Sequence, residues 1–417
     1  MTRVPLLLAG LLAALAPAAG AAPLLLAGGK VVTNSGPIQE RADVLIDNGR
    51  VLAVGPDLQA PAGAARIDVS GKWVTPGLFA AFSRVGLAEI GAEDGSSDIG
   101  SGEDAPGAAL DAAVAFNPAA AAVAVSRAGG ITHAAIAPQS SAGLFSGRGA
   151  IVALDGDYSI GAARAFMLVD AGERGAELAG GSRAALWPEL EAALDDALGY
   201  PQRYLSGQGG AVLSELDAKA LAPFAKGEGL LLIYADRAAD LRQVLALKRR
   251  RPALKLAVIG AAEGWRVARE LAAANVAVII DPMRALPGSF ERLGVRLDNA
   301  ALLEAAGVAV SIGPMPGSDD AFQNRLVTQY AGNAVANGLS WDAAFAAISR
   351  RPAQLFGRPE LGALTPGARA DLVVWDGDPL EVTSQAEQVF VEGAEASLET
   401  RQQALLARYR AIVLSKP

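Results

Sequence analysis

The chain has 417 residues, 52% of them hydrophobic and 19% charged, which is ample material for a large buried core. A formal charge of −8 with no basic stripe argues against nucleic acid as a partner. The absence of cysteine excludes disulfides, a thiolate nucleophile and a thiolate metal site.

At the N-terminus Arg3, an apolar run over residues 4–15 and the small residues Ala19-Gly20-Ala21 read as a secretory signal peptide, residues 1–21. The run is too short for a comfortable membrane span, so an exported protein is expected, periplasmic or extracellular, with no stable span after cleavage.

Residues 24–67 alternate in short β-type segments. Asn48-Gly49 sits between two apolar runs, the sequence of a tight hairpin whose two turn positions need positive φ. From Phe79 the pattern changes. An Ala-rich helical stretch over 109–127 ends at Gly129-Gly130, and a strand follows over 131–137. Short strands are expected at 150–154 and 166–169, and helices at 182–198 and 214–225. Apolar strands at 230–234, 256–259, 276–280 and 308–312 then alternate with helices, the last of them at 321–337 and 341–350. Continuous apolar strands between amphipathic helices mean a parallel sheet covered by helices. The length of residues 79–359 fits an α/β fold of the (β/α)8 TIM-barrel type, with a doubly wound open sheet as the alternative. Lys248-Arg249-Arg250-Arg251 closes one helix, where cations complement the dipole. Ser146-Gly147-Arg148-Gly149 reads as a glycine-rich turn, and residues 91–105, acidic and rich in Gly and Ser, as a lid or a disordered loop. The chain returns to β structure over 371–393 and ends in a helix, residues 397–417.

Three stretches carry a family likeness. Val74-Thr75-Pro76-Gly77-Leu78 leads into the first barrel strand. Ala128-Gly129-Gly130-Ile131-Thr132 enters the next. Leu361-Gly362-Ala363-Leu364-Thr365-Pro366-Gly367-Ala368-Arg369-Ala370-Asp371-Leu372-Val373-Val374-Trp375 closes the fold. With the β, α/β, β order they resemble the amidohydrolase superfamily, most nearly its imidazolonepropionase-like branch. The resemblance implies a barrel inserted into a small composite β-sandwich made by both chain ends, residues 22–78 plus 360–396. It also implies hydrolysis of non-peptide C–N bonds, such as those of cyclic amides, in small molecules.

The resemblance further implies zinc or another divalent metal at the C-terminal mouth of the barrel. The ligands would be His-x-His on the first strand, often a carboxylated Lys, His after the fifth and sixth strands, and Asp after the eighth. Here the first pair reads Phe82 and Arg84. The fifth-strand position falls near Tyr234, the sixth near Ala261, and Pro314-Met315-Pro316 stands where the Asp is due. The chain has one histidine, His133. Neither the number nor the type of donors suits zinc, so no metal ligand and no cofactor are expected. Polar residues in loops after strands give the candidate site: Arg84, Asp236, Glu263 and Asp319 as catalytic candidates, and Phe82, Tyr234, Arg237 and Asp281 for substrate binding. His133 is expected to be a strand residue hydrogen-bonded within the fold. Two functions follow as expectations: metal-free hydrolysis of a small substrate, or a catalytically inactive barrel that serves as a binding scaffold.

Overall fold

The computed structural model describes residues 23–89, 93–205, 209–316 and 324–414, so the expected signal peptide and Asp319 lie outside the described residues. The first sheet begins with β1 (Leu24–Val31), β2 (Gln39–Asp47) and β3 (Arg50–Gly55), paired antiparallel in that order. Asn48 and Gly49 join β2 to β3 with φ of 48° and 72°, the left-handed conformation that the Asn-Gly pair supplies. β4 (Ala65–Asp68) and β5 (Trp73–Pro76) both run parallel to β1.

The second sheet is the barrel. β6 (Leu78–Ser83), β7 (Ile131–Ile136), β8 (Phe145–Ala153), β9 (Ile160–Asp170), β10 (Leu230–Ala235), β11 (Lys255–Gly260), β12 (Ala277–Ile280) and β13 (Val310–Ile312) are hydrogen-bonded in that order. After β13 the chain comes back to β6: a Cβ on Gly313 would stand 3.5 Å from the Ala81 Cβ. The ring is therefore nearly closed, and the α/β barrel expected from the sequence is present. It has one departure from eight parallel strands, because β8 runs antiparallel to β7 and β9. The connections over 137–144 and 154–159 are shorter than the dozen or so residues a parallel crossover needs, so they can only make hairpins.

Ser146-Gly147-Arg148-Gly149 is part of β8 and not a turn. Its glycines serve close packing, since a Cβ on Gly149 would fall 2.1 Å from the Phe166 ring. The long helix expected over 109–127 is two short ones, Ala112–Ala115 and Ala121–Ala128. Pro118, between them, lacks the N–H that a continuous helix would use. The basic run ends helix Ala238–Arg250 as expected. There Lys248 Nζ donates to the Pro252 carbonyl at 3.0 Å, and Arg251 pairs with Asp195 at 2.7 Å.

The barrel interior is apolar, with Phe79, Phe82, Ile151, Phe166, Leu232 and Ile259 packed in one buried cluster. A larger cluster fills the layer between strands and helices. The chain then rejoins the first sheet through β14 (Leu372–Trp375), β15 (Ala386–Val391) and β16 (Ala394–Ala396), with β14 antiparallel to β5. Val51 N–H donates to the Ala368 carbonyl at 3.0 Å and Gly367 N–H to that of Val51 at 2.8 Å. These bonds fold the sheet back on itself around Leu26, Val44, Val74, Leu372 and Phe390. The last helix, Arg401–Leu414, is exposed along residues 401–410.

Candidate functional site at the barrel mouth

Side chains alternate along a strand, so Leu232 and Tyr234 both point into the barrel, Leu232 into its core and Tyr234 at its mouth. The Tyr234 hydroxyl donates to Asp236 Oδ2 at 2.8 Å, and Asp236 Oδ1 accepts from the Ala262 N–H at 3.1 Å. Glycines make room on both sides. A Cβ on Gly172 would lie 2.7 Å from the Tyr234 ring, and one on Gly260 would lie 2.7 Å from Asp236 Oδ1. Burial pushes the Asp236 carboxyl up, against the hydrogen bond from Tyr234. Burial and the neighbouring Asp236 push the Tyr234 phenol up as well, so Tyr234 remains a donor.

Arg84 follows β6. The residue is 7% exposed; its guanidinium donates to the Gln139 side-chain oxygen, while its Nε has no partner among the described residues. Burial, and then the charge of Arg174, lower it to about 10, which leaves it cationic at neutral pH. Arg84, Tyr234 and Arg174 line a cavity of about 350 Å³ together with Asp170, Arg284, Glu291 and Arg292. That volume lies within the usual range for small-molecule sites, about 300–1,000 Å³.

The carboxylates here are largely engaged. Asp170 accepts from the backbone N–H groups of Gly172 and Gly175 and pairs with Arg174 at 3.4 Å. Glu291 pairs with Arg183 at 2.7 Å and accepts from the Glu173 N–H. Burial raises the Glu291 carboxyl despite these partners.

The residues expected at the site separate. Arg84 and Tyr234 share the cavity. Asp236 sits behind Tyr234 and, with Asp281, lines an adjoining void of about 20 Å³ whose walls include Arg284 and Arg292. Phe82 is fully buried in the barrel core and has no face on the cavity. Arg237 turns to its own helix and holds Asp240 through two bonds of 2.7 and 2.8 Å. Glu263 accepts from the Ala238 N–H at 3.0 Å, so it caps that helix from the next loop. Phe82, Arg237 and Glu263 therefore do not line this cavity. Asp170, Arg174, Arg284, Glu291 and Arg292 were not foreseen. The Asp170/Arg174 pair, four apart at a strand end, could have been found by its spacing. Arg284, Glu291 and Arg292 lie in an irregular segment that has no periodicity to read.

His133 lies away from the mouth. Its Nδ1 is 3.2 Å from Thr132 Oγ1 and 3.8 Å from Asp371 Oδ2, and its ring stacks on Phe79 at 6.3 Å. Burial first, then Arg369 and Arg358, lower it to about 3, so it is a neutral structural residue.

The fold family implies a divalent metal at this mouth, and the residues present do not fit one. Phe82 offers no donor, Arg84 places a cation where a cation would bind, and Tyr234 is committed to Asp236. Among the described residues no three His, Cys, Asp or Glu side chains are arranged to hold a metal.

Comparison with known proteins agrees with the architecture. Residues 234–396 match the sequence model of the amidohydrolase family. A dihydroorotase of Geobacter sulfurreducens is 47% identical over 55 residues, which are 13% of this chain and 13% of that protein. The curated relatives are thus matched over a small part of their own length. The crystal structure of an amidohydrolase from Thermotoga maritima superimposes with a TM-score of 0.80 at 22% identity, covering 89% of this chain and 99% of that one. An N-isopropylammelide isopropylaminohydrolase from Burkholderia multivorans gives 0.53 at 18% identity, over 91% and 100%. The chain therefore has the fold of the amidohydrolases, and its residues 234–396 match that family's sequence model.

Proposed function

We propose that the protein binds a small molecule at the barrel mouth and does not hydrolyse it through a metal. One observation carries this reading: a fully buried phenyl ring and a buried guanidinium, Phe82 and Arg84, stand at the two first-strand positions where the family resemblance places metal ligands. A guanidinium can bind and orient an anionic group, but it cannot lower the pKa of a bound water as zinc does.

The second reading is metal-free hydrolysis of a C–N bond, as in a cyclic amide. It is favoured by Glu291, a buried carboxyl with a raised pKa on the cavity wall, which is the condition for a general acid or base. Incubation with a panel of cyclic amides and imides, with and without added zinc or manganese, separates the two. The binding reading expects no turnover in either case. Turnover that a chelator abolishes overturns it. Metal-independent turnover lost in Glu291→Gln establishes the second reading instead.

Export is part of the proposal, supported by Arg3 and the apolar run over 4–15. Mass spectrometry of the mature N-terminus after expression in a secreting host tests it, and retention of residues 1–21 would refute it.

A further inference from the structure

We infer that the ligand of the barrel mouth is a small organic anion with two separated negative groups, one held at Arg84 and the other between Arg284 and Arg292. This rests on the reading of the mouth as a small-molecule site and names the class of ligand.

Three observations support it. First, among the described residues no carboxylate lies within ion-pair distance of Arg84, Arg284 or Arg292, although eighteen such pairs involving Lys or Arg occur elsewhere. A buried guanidinium normally has a carboxylate partner, because desolvating a charge is costly. Arg84 is 7% exposed and its Nε is unpartnered. Second, all three arginines line the same cavity of about 350 Å³. The carboxylates around it do not neutralise them: Asp170 and Glu291 are held by Arg174 and Arg183, and Glu173 and Glu177 are exposed.

Third, the cations form two groups. Arg84 follows β6, contacts Gln139 and feels the charge of Arg174. Arg284 and Arg292 follow β12, feel Asp236, and line the adjoining void that Arg84 does not reach. Tyr234 lines the same cavity, within the field of Arg284. A planar guanidinium fork matches a carboxylate, so two such poles fit a dicarboxylate better than one compact dianion.

Calorimetric titration of the purified protein with four probes tests this: glutarate, butyrate, glutaramide and inorganic phosphate. Glutarate is expected to bind at least about tenfold more tightly than the other three, a difference of about 1.4 kcal/mol. Arg84→Met and Arg292→Met are each expected to remove that preference, and circular dichroism of both variants checks that they are folded. If glutaramide or butyrate binds as tightly as glutarate, the mouth is still a small-molecule site but the two-anion class is wrong. If phosphate equals glutarate, the separation of the poles is wrong. If none of the four binds, the ligand class is overturned, while the cyclic-amide panel still judges the site itself.

Discussion

The Tyr234 hydroxyl and Asp236 Oδ2 lie 2.8 Å apart, two residues along the chain where β10 gives way to its loop. This bond ties the wall of the cavity to a carboxyl that is 2% exposed. It also removes Tyr234, the residue at the fifth-strand position, from any role as a free donor.

Tyr234→Phe keeps the ring and deletes the hydroxyl, leaving Asp236 Oδ2 buried without its partner. A loss of about 1–3 kcal/mol is expected in urea unfolding, the cost of an unsatisfied buried acceptor. A change within a few tenths of a kcal/mol would mean that the bond contributes nothing.

Gly260→Ala is expected to cost more than an ordinary surface substitution. Gly260 has φ of +113°, and its Cβ would fall 2.7 Å from Asp236 Oδ1 and 3.0 Å from the Ala235 carbonyl oxygen. Strain of this kind is worth on the order of 1–3 kcal/mol. A Gly260→Ala variant with the wild-type unfolding midpoint would contradict the geometry.

His133 gives the protein a defined acid sensitivity. Its folded pKa, about 3, is below the ordinary 6.5, so the unfolded chain binds the proton first. The stability due to neutral His133 is present above about 6.5 and is lost as pH falls toward 3, at roughly 1.4 kcal/mol per pH unit. Arg369, Arg358, Asp155, Glu360 and Asp371 are the charged groups acting around it. His133 is the single histidine, so His133→Gln should flatten the stability profile between about pH 6 and 4.5. Parallel profiles for wild type and variant would refute this.

Arg84→Met exchanges a buried cation for an apolar side chain of similar length. The ligand-free variant is expected to be as stable as the wild type, or more stable by about 1 kcal/mol, because a desolvated guanidinium is lost. A loss of several kcal/mol would show that Arg84 is structural. The Tm of both proteins, with and without glutarate, measures the difference.

The barrel and the sheet that joins the chain ends were legible because strand periodicity, Asn48-Gly49 and the closing stretch around Asp371 are local signals. The antiparallel β8 was not, since 145–153 has the same apolar pattern in either direction and only the short flanking connections reveal it. At the mouth, Arg84, Tyr234 and Asp236 could be placed because each sits at the end of a recognisable strand. Arg237 and Glu263 could not be excluded from sequence. Their engagement with Asp240 and the Ala238 N–H depends on how one loop meets the next helix. Arg284 and Arg292 belong to residues 281–298, where only short turns and a 3-10 turn occur and no pattern indicates direction.

The central claim is that guanidinium groups occupy the mouth in place of a metal centre. The most direct test is elemental analysis of the purified protein after incubation with zinc and exhaustive dialysis. Metal far below one equivalent per chain, with the fold intact by circular dichroism, is the expected result. One or two tightly held zinc, manganese or iron ions per chain would contradict the account.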